Sequence, residues 1–150
     1  MKKIEWNRST KLSEKKALYL TWQLWEWLAK TDDQEKSSWS HWKANNGQVD
    51  HCLNHCPCCE FAAERKGPYI HIDCQKCPLF KLWNKGGENV KLFPCEDAPN
   101  SPYIKWAKLR SPFYSSKSTI LKRRGYAKTI ANYAKRRYHK LTKKGGKSNG

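Results

Sequence analysis

The chain has 150 residues, a length that fits one domain with an appended element, and 30 basic against 13 acidic residues give it a formal charge of +17. A mean hydropathy of −0.95 and the lack of any apolar run near the roughly 20 residues of a spanning helix argue against a membrane protein. Met1-Lys2-Lys3-Ile4-Glu5-Trp6 lacks the apolar stretch of a secretory signal, so the expected compartment is the cytoplasm, where thiols stay reduced.

Residues 1–50 read as a Trp-rich helical segment, with six of the eight Trp among the first 42 residues. Residues 13–30 predict a helix, with Ser13 as N-cap and Glu14 in the first turn, where the helix dipole favours an acid. Ala17, Leu18, Leu20, Trp22, Leu24, Trp25, Trp27, Leu28 and Ala29 spread over more than half of its circumference. A face that wide implies burial against more than one neighbour. This makes a core helix the better reading than a Trp platform for stacked bases. Thr31 to Lys36 is a polar loop. Ser37 or Ser38 would cap a short helix carrying Trp39 and Trp42, which Asn45-Asn46-Gly47 ends.

Residues 51–100 read as a zinc-knuckle module with little β-structure. Arg65-Lys66-Gly67-Pro68 marks a turn, and Tyr69 to Ile72 is a β-prone run. All seven cysteines, at 52, 56, 58, 59, 74, 77 and 95, fall in this region. Clustered reduced thiols suggest a metal before they suggest disulfides. Cys56-Pro57-Cys58-Cys59, fourteen residues, then Cys74-Gln75-Lys76-Cys77 gives two CxxC knuckles. Two residues between thiolates let both reach one ion, and a second knuckle completes a tetrahedron. The expectation is therefore one structural zinc ion on Cys56, Cys59, Cys74 and Cys77.

The ligand set stays open in places. Cys58 is an alternate within the first knuckle, and Cys52, Cys95, His51, His55 and His71 are alternates for the fourth position. Cys52, Cys58 and Cys95 also suit burial as small apolar residues. An iron–sulfur cluster is the other use of four Cys, without a redox-partner motif in support. Catalysis has thinner support. A nuclease would place His71 or Asp73 on a second metal, yet no His-Asn-His pattern surrounds the knuckles. No Ser/His/Asp or Cys/His triad is visible, and no small-molecule substrate is expected.

Residues 84–100, with Gly86-Gly87, Pro94 and Pro99, read mainly as loop. Residues 101–141 form a basic helical segment. Ser101-Pro102 starts a short helix with Tyr103, Trp106, Ala107 and Leu109 on its apolar side, and Pro112 ends it. A longer helix is predicted from Lys117 to Leu141, with Ile120, Ala127, Ile130, Ala131, Ala134, Tyr138 and Leu141 on one face and Tyr126 and Tyr133 at its edge. Gly125 interrupts the pattern. Residues 142–150 read as a flexible basic tail. The fold class is mainly α: a Trp-rich helical body, a small zinc-knuckle module and a long basic C-terminal helix.

Several stretches stand in this order: Trp25-Glu26-Trp27-Leu28-Ala29, Ser38-Trp39 with Trp42, the run CPCCEFA from Cys56 to Ala62, Cys74-Gln75-Lys76-Cys77-Pro78-Leu79, and Ser101-Pro102-Tyr103-Ile104-Lys105-Trp106. Over roughly residues 20–135 the chain thereby resembles a group of small tailed-bacteriophage proteins with paired CxxC motifs and no established activity. The resemblance implies a metal-stabilised accessory protein of the bacterial host cytoplasm and supplies no mechanism.

Charge carries the functional expectation. The first hundred residues hold 15 basic and 13 acidic residues, whereas the last fifty hold 15 basic and none acidic. Such one-sided charge repels itself unless an anion neutralises it, and nucleic acid binds through the counterions it releases. The expected function is non-enzymatic binding of DNA or RNA, or of a nucleic-acid machine. The expected contacts are Lys122, Arg123, Arg124, Lys128, Lys135, Arg136, Arg137, Lys140, Lys143 and Lys144. The alternatives are inhibition of a host protein through its acidic surface, such as a defence or transcription component, then adsorption to anionic membrane, and last a zinc-supported nuclease.

Overall fold

The structure, a computed structural model, describes residues 11–39, 53–110 and 116–147. The expected helix around Trp42, the Asn45-Asn46-Gly47 turn, His51, Cys52 and Pro112 lie outside the described residues. The described chain is mostly helical, with one two-stranded sheet and a long C-terminal helix. No helix among the described residues is long and apolar enough to cross a membrane.

Helix α1 spans Glu14–Thr31. Ser13 Oγ accepts the N–H of Lys16 at 3.2 Å, which satisfies one of the first-turn donors. Asp32 ends the helix in the left-handed conformation (φ 57°), its own N–H returning to the carbonyl of Leu28. Ala17, Leu18, Leu20, Thr21, Leu24, Trp25, Leu28 and Ala29 are buried. The wide apolar face thus belongs to a core helix, with Trp22 and Trp27 half-buried at its margins.

Three elements cover that face. Helix α2 (Pro57–Ala62) packs beneath it, where Cys58 Sγ lies 3.2 Å from Thr21 Oγ1. Helix α5 (Pro102–Lys108) brings Trp106 edge-on to Trp25, with centroids 4.9 Å apart and planes at 80°. Edge-to-face pairs of this kind add about 0.5–1.5 kcal/mol beyond their buried area. Helix α6 (Lys117–Lys147) runs antiparallel to α1: Asp32 meets Arg123, Glu26 meets Lys128 and Glu14 meets Arg137. Its Ala127, Ile130, Ala131 and Ala134 have no exposed surface. The alanines at three of these positions leave room for α1 to pack closely.

Between α2 and α5, strands β1 (Ala63–Lys66) and β2 (Tyr69–Ile72) pair antiparallel, Ala63 opposite Ile72 and Lys66 opposite Tyr69. Their two-residue turn is Gly67-Pro68. Pro68 cannot take a positive φ, so the turn is of the form that needs one only at its first position, and Gly67 supplies it at +59°. Two further short helices follow, α3 (Phe80–Trp83) and α4 (Pro94–Asp97), the second inside a stretch expected to be loop.

The C-terminal end also departs from expectation. Residues 142–147, expected as a tail beyond the helix, continue α6. A docked helix has already met the cost of nucleation, and each further residue adds one hydrogen bond, so Thr142, Lys143 and Lys144 extend it cheaply. Lysines at a helix C-terminus are also favoured by its dipole. Gly125 does not break α6. A Cβ built there would meet nothing within 4 Å, and the residue is exposed. Gly125→Ala is therefore expected to raise stability by about 0.5–1 kcal/mol in a urea melt, because alanine loses less backbone entropy on folding. A fall in stability would show that something close-packed covers this position.

Candidate functional site

Five cysteines from three chain segments line one cavity beside Trp25 of α1: Cys56, Cys59, Cys74, Cys77 and Cys95. All six described cysteines are free thiols. Cys56 is the N-cap of α2 and follows a tight 3-10 turn in which Asn54 and His55 both take positive φ, 56° and 48°. Cys59 lies three residues on, within α2. Cys74 and Cys77 flank another 3-10 turn, which Asp73 caps by accepting the N–H of Gln75 at 3.1 Å. Cys95 sits in α4, just after Phe93, which takes φ 49°. Ser101 Oγ donates to the Cys95 carbonyl at 2.8 Å.

Electrostatics ties these thiols together. The hydrogen bond from Cys59 pulls Cys56 down to about 6, against the cost of burial, with help from the charge of Lys36 and from the N–H groups of Cys59 and Cys58. The same bond pushes Cys59 well up, and burial and the neighbouring Cys56, Cys77 and Cys95 add to it. Burial raises Cys95 to about 12, with Cys56, Glu96, Cys77 and Cys74 contributing. The sulfurs cannot all ionise beside one another without a cation among them. Soft thiolate donors suit zinc, and Lys36 lines the cavity as a countercharge, donating to the Asn54 carbonyl at 2.6 Å. As they stand, no three or more His, Cys, Asp or Glu groups among the described residues are drawn together closely enough to hold a metal ion.

Of the alternates, Cys95 lines the cavity, whereas Cys58 and His71 do not. Cys58 is fully buried against Thr21 and the Ala17 carbonyl, on the α1 side of its helix. His71 is exposed on β2 opposite Glu64 and is not among the cavity's lining residues. Asp73 is occupied as a turn cap, which weakens a role as a nuclease carboxylate.

The ten cations expected to meet a partner divide into two sets. Arg123 is a correction: its side chain is only 2% exposed. Its Nε and Nη2 grip both carboxylate oxygens of Asp32, and Nη1 donates to the Leu109 carbonyl at 2.8 Å. No phosphate reaches it. Arg124 donates to the Ala29 carbonyl at 2.6 Å. Lys128 lies 3.0 Å from Glu26, whose carboxyl it holds below the usual range by that hydrogen bond. Arg137 approaches Glu14 at 3.4 Å.

Lys122, Lys135, Arg136, Lys140, Lys143 and Lys144 are exposed. Of these, Lys135 leans over the Trp22 ring and Arg136 over Tyr133. At about 100° per residue, Lys122, Arg136, Lys140 and Lys143 share roughly 60° of the circumference, opposite the buried face. Tyr126, Tyr133 and Tyr138 are half-buried against the core. Tyr138 packs with Tyr19 and Trp22, at centroid distances of 5.4 and 5.9 Å.

Compared with protein-family models, curated proteins and solved structures, the chain matches none.

Proposed function

We propose that the chain is a non-enzymatic nucleic-acid-binding protein that engages DNA or RNA through the outward sector of α6. The observation that carries this reading is a division of labour among the cations of one helix. Arg123, Arg124, Lys128 and Arg137 are spent on α1 and its flanks, while Lys122, Arg136, Lys140, Lys143 and Lys144 face solvent. No acidic residue occurs after Asp97 to offset them. Contacts of this kind are to phosphate, so they position the protein and read little sequence. The thiol cavity is read as a structural zinc site, without a catalytic role. With the resemblance to tailed-bacteriophage proteins, the setting is a bacterial host cytoplasm.

The test is binding of labelled single- and double-stranded DNA and RNA across a salt series. Five phosphate contacts on a duplex predict a slope of log K against log salt of about −4 to −5. Absence of binding at low salt overturns the reading. A pull-down separates the main rival: one stoichiometric host protein that survives nuclease treatment would identify an acidic protein surface as the target instead.

A further inference from the structure

A cleft of about 240 Å³ opens between α6, the start of α1 and the second knuckle with α3. Its walls include Tyr133, Arg137, Glu14, Lys76, Phe80 and Lys81. At about 100° per residue, Tyr133 and Arg137 stand roughly 20° and 60° around α6 from the line of Lys122 and Lys140. The cleft therefore adjoins the outward charged sector. Arg136 joins the two, its guanidinium 5.9 Å from the centroid of the Tyr133 ring.

The lining chemistry narrows what fits. Pockets that enclose whole drug-sized ligands run to roughly 300–1,000 Å³, so this one suits a single planar ring system. Two half-buried aromatic rings, Tyr133 and Phe80, offer it apolar contact. Glu14 on the wall disfavours a phosphate inside. The three cations are unequally committed. Lys76 donates to Glu64. Arg137 reaches Glu14 only at 3.4 Å, and its Nε is buried with no acceptor among the described residues. A buried donor without an acceptor is uncommon and calls for a cause. Lys81 is exposed and meets no acidic partner among the described residues.

We propose that the cleft takes one unpaired base from a nucleic-acid strand lying along α6, stacked on Tyr133, with its phosphate outside on Lys81. Arg137 turns its free donor to the edge of that base. The proposal rests on the reading of α6 as a nucleic-acid surface and names an unpaired strand as what reaches the cleft. A base inside a duplex cannot enter, because its faces are stacked and its pairing edge is taken. Proteins that bind single strands combine a charged track with aromatic rings in this way, and unstacked bases are read on their edges.

The experiment is an anisotropy titration of the full-length protein with a labelled single-stranded oligonucleotide, the matching duplex and a mononucleotide. Tyr133→Ala should lower single-strand affinity about 5- to 100-fold. Duplex affinity and both salt slopes should stay as in wild type, since stacking releases no counterions. Tyr133→Phe should keep wild-type affinity. Lys81→Gln should flatten the single-strand salt slope by about 0.7 and spare the duplex slope. Unchanged single-strand affinity in Tyr133→Ala, or an equal loss on the duplex, overturns the cleft assignment and leaves α6 standing. So does a single-strand slope unmoved by Lys81→Gln, which decides the matter even if Tyr133→Ala fails to fold. A mononucleotide that binds as tightly as the strand makes a free nucleotide the ligand and also overturns the proposal. Wild type that binds neither strand nor duplex at low salt overturns the reading of α6 itself.

Discussion

Asp32→Asn is expected to destabilise the protein by about 3–5 kcal/mol, measured from the urea unfolding midpoint. The cost comes from Arg123, whose guanidinium keeps its charge and stays buried when its partner is neutralised. Removing one member of a buried ion pair typically costs that much, against a total stability on the order of 5–15 kcal/mol. Asn suits the test because it tolerates the left-handed backbone at position 32 (φ 57°). The substitution therefore removes charge without adding strain. The Leu109 carbonyl still accepts from Arg123 Nη1, but the bidentate grip of the carboxylate is lost. Combining it with Arg123→Met should recover most of the loss, since a buried pair replaced on both sides is often close to neutral. A loss below about 1 kcal/mol for the single variant would mean that Arg123 escapes to water.

The second large effect is on binding. Changing Lys122, Arg136, Lys140 and Lys143 together to Gln is expected to flatten the salt slope by about 3–4 units, close to one per phosphate contact. At about 0.5–1 kcal/mol per exposed contact, affinity should fall on the order of a hundredfold. Gln is a good helix former, so the fold should be unaffected. Lys128→Gln with Arg137→Gln should keep the wild-type slope, because those charges already face Glu26 and Glu14. If the two variants lose binding equally, net charge governs the interaction and the outward sector does not. Deleting residues 117–150 is a poor substitute, since it strips Ala127, Ile130, Ala131 and Ala134 from the core.

The long helices were legible because periodicity accumulates over many residues. Residues 13–30 and 117–141 predicted α1 and the docked part of α6 closely. Of the shorter elements, Tyr69–Ile72 and Pro102–Lys108 were also legible, from β-prone residues and a Ser-Pro start, but others were not. Helix α2 has six residues, too few for a period to show, and its cysteines drew the reading toward a metal knuckle. Strand β1, Ala63-Glu64-Arg65-Lys66, has no β-branched residue and is held by its partner instead of by its own preference. Residues 142–150 read as a flexible basic tail from their composition, although α6 is already propagating when it reaches Thr142.

The site divides along the same line. Spacing found Cys56, Cys59, Cys74 and Cys77, which work as local pairs. Cys95 has no partner at knuckle distance. It enters the cavity through a left-handed turn at Phe93 that no residue type announces. On the basic helix, composition counted the cations but not their commitments. The acids that occupy Arg123, Lys128 and Arg137 lie 91, 102 and 123 residues away in sequence.

Helix α6 is longer than the surface it lies on. Among the described residues its last side chain packed against the core is Leu141, and the backbone continues as helix to Lys147, about 9 Å further. Around Lys122 and Arg136 the helix offers charge on one side only, since the other is occupied by α1. Past Leu141 no described residue packs on the helix, and Lys143 and Lys144 are exposed. A polyanion arriving in any orientation meets this unshielded end most readily. From there only one track leads back toward Lys122. Engagement would then have a polarity, capture at the free end and alignment toward the anchored one.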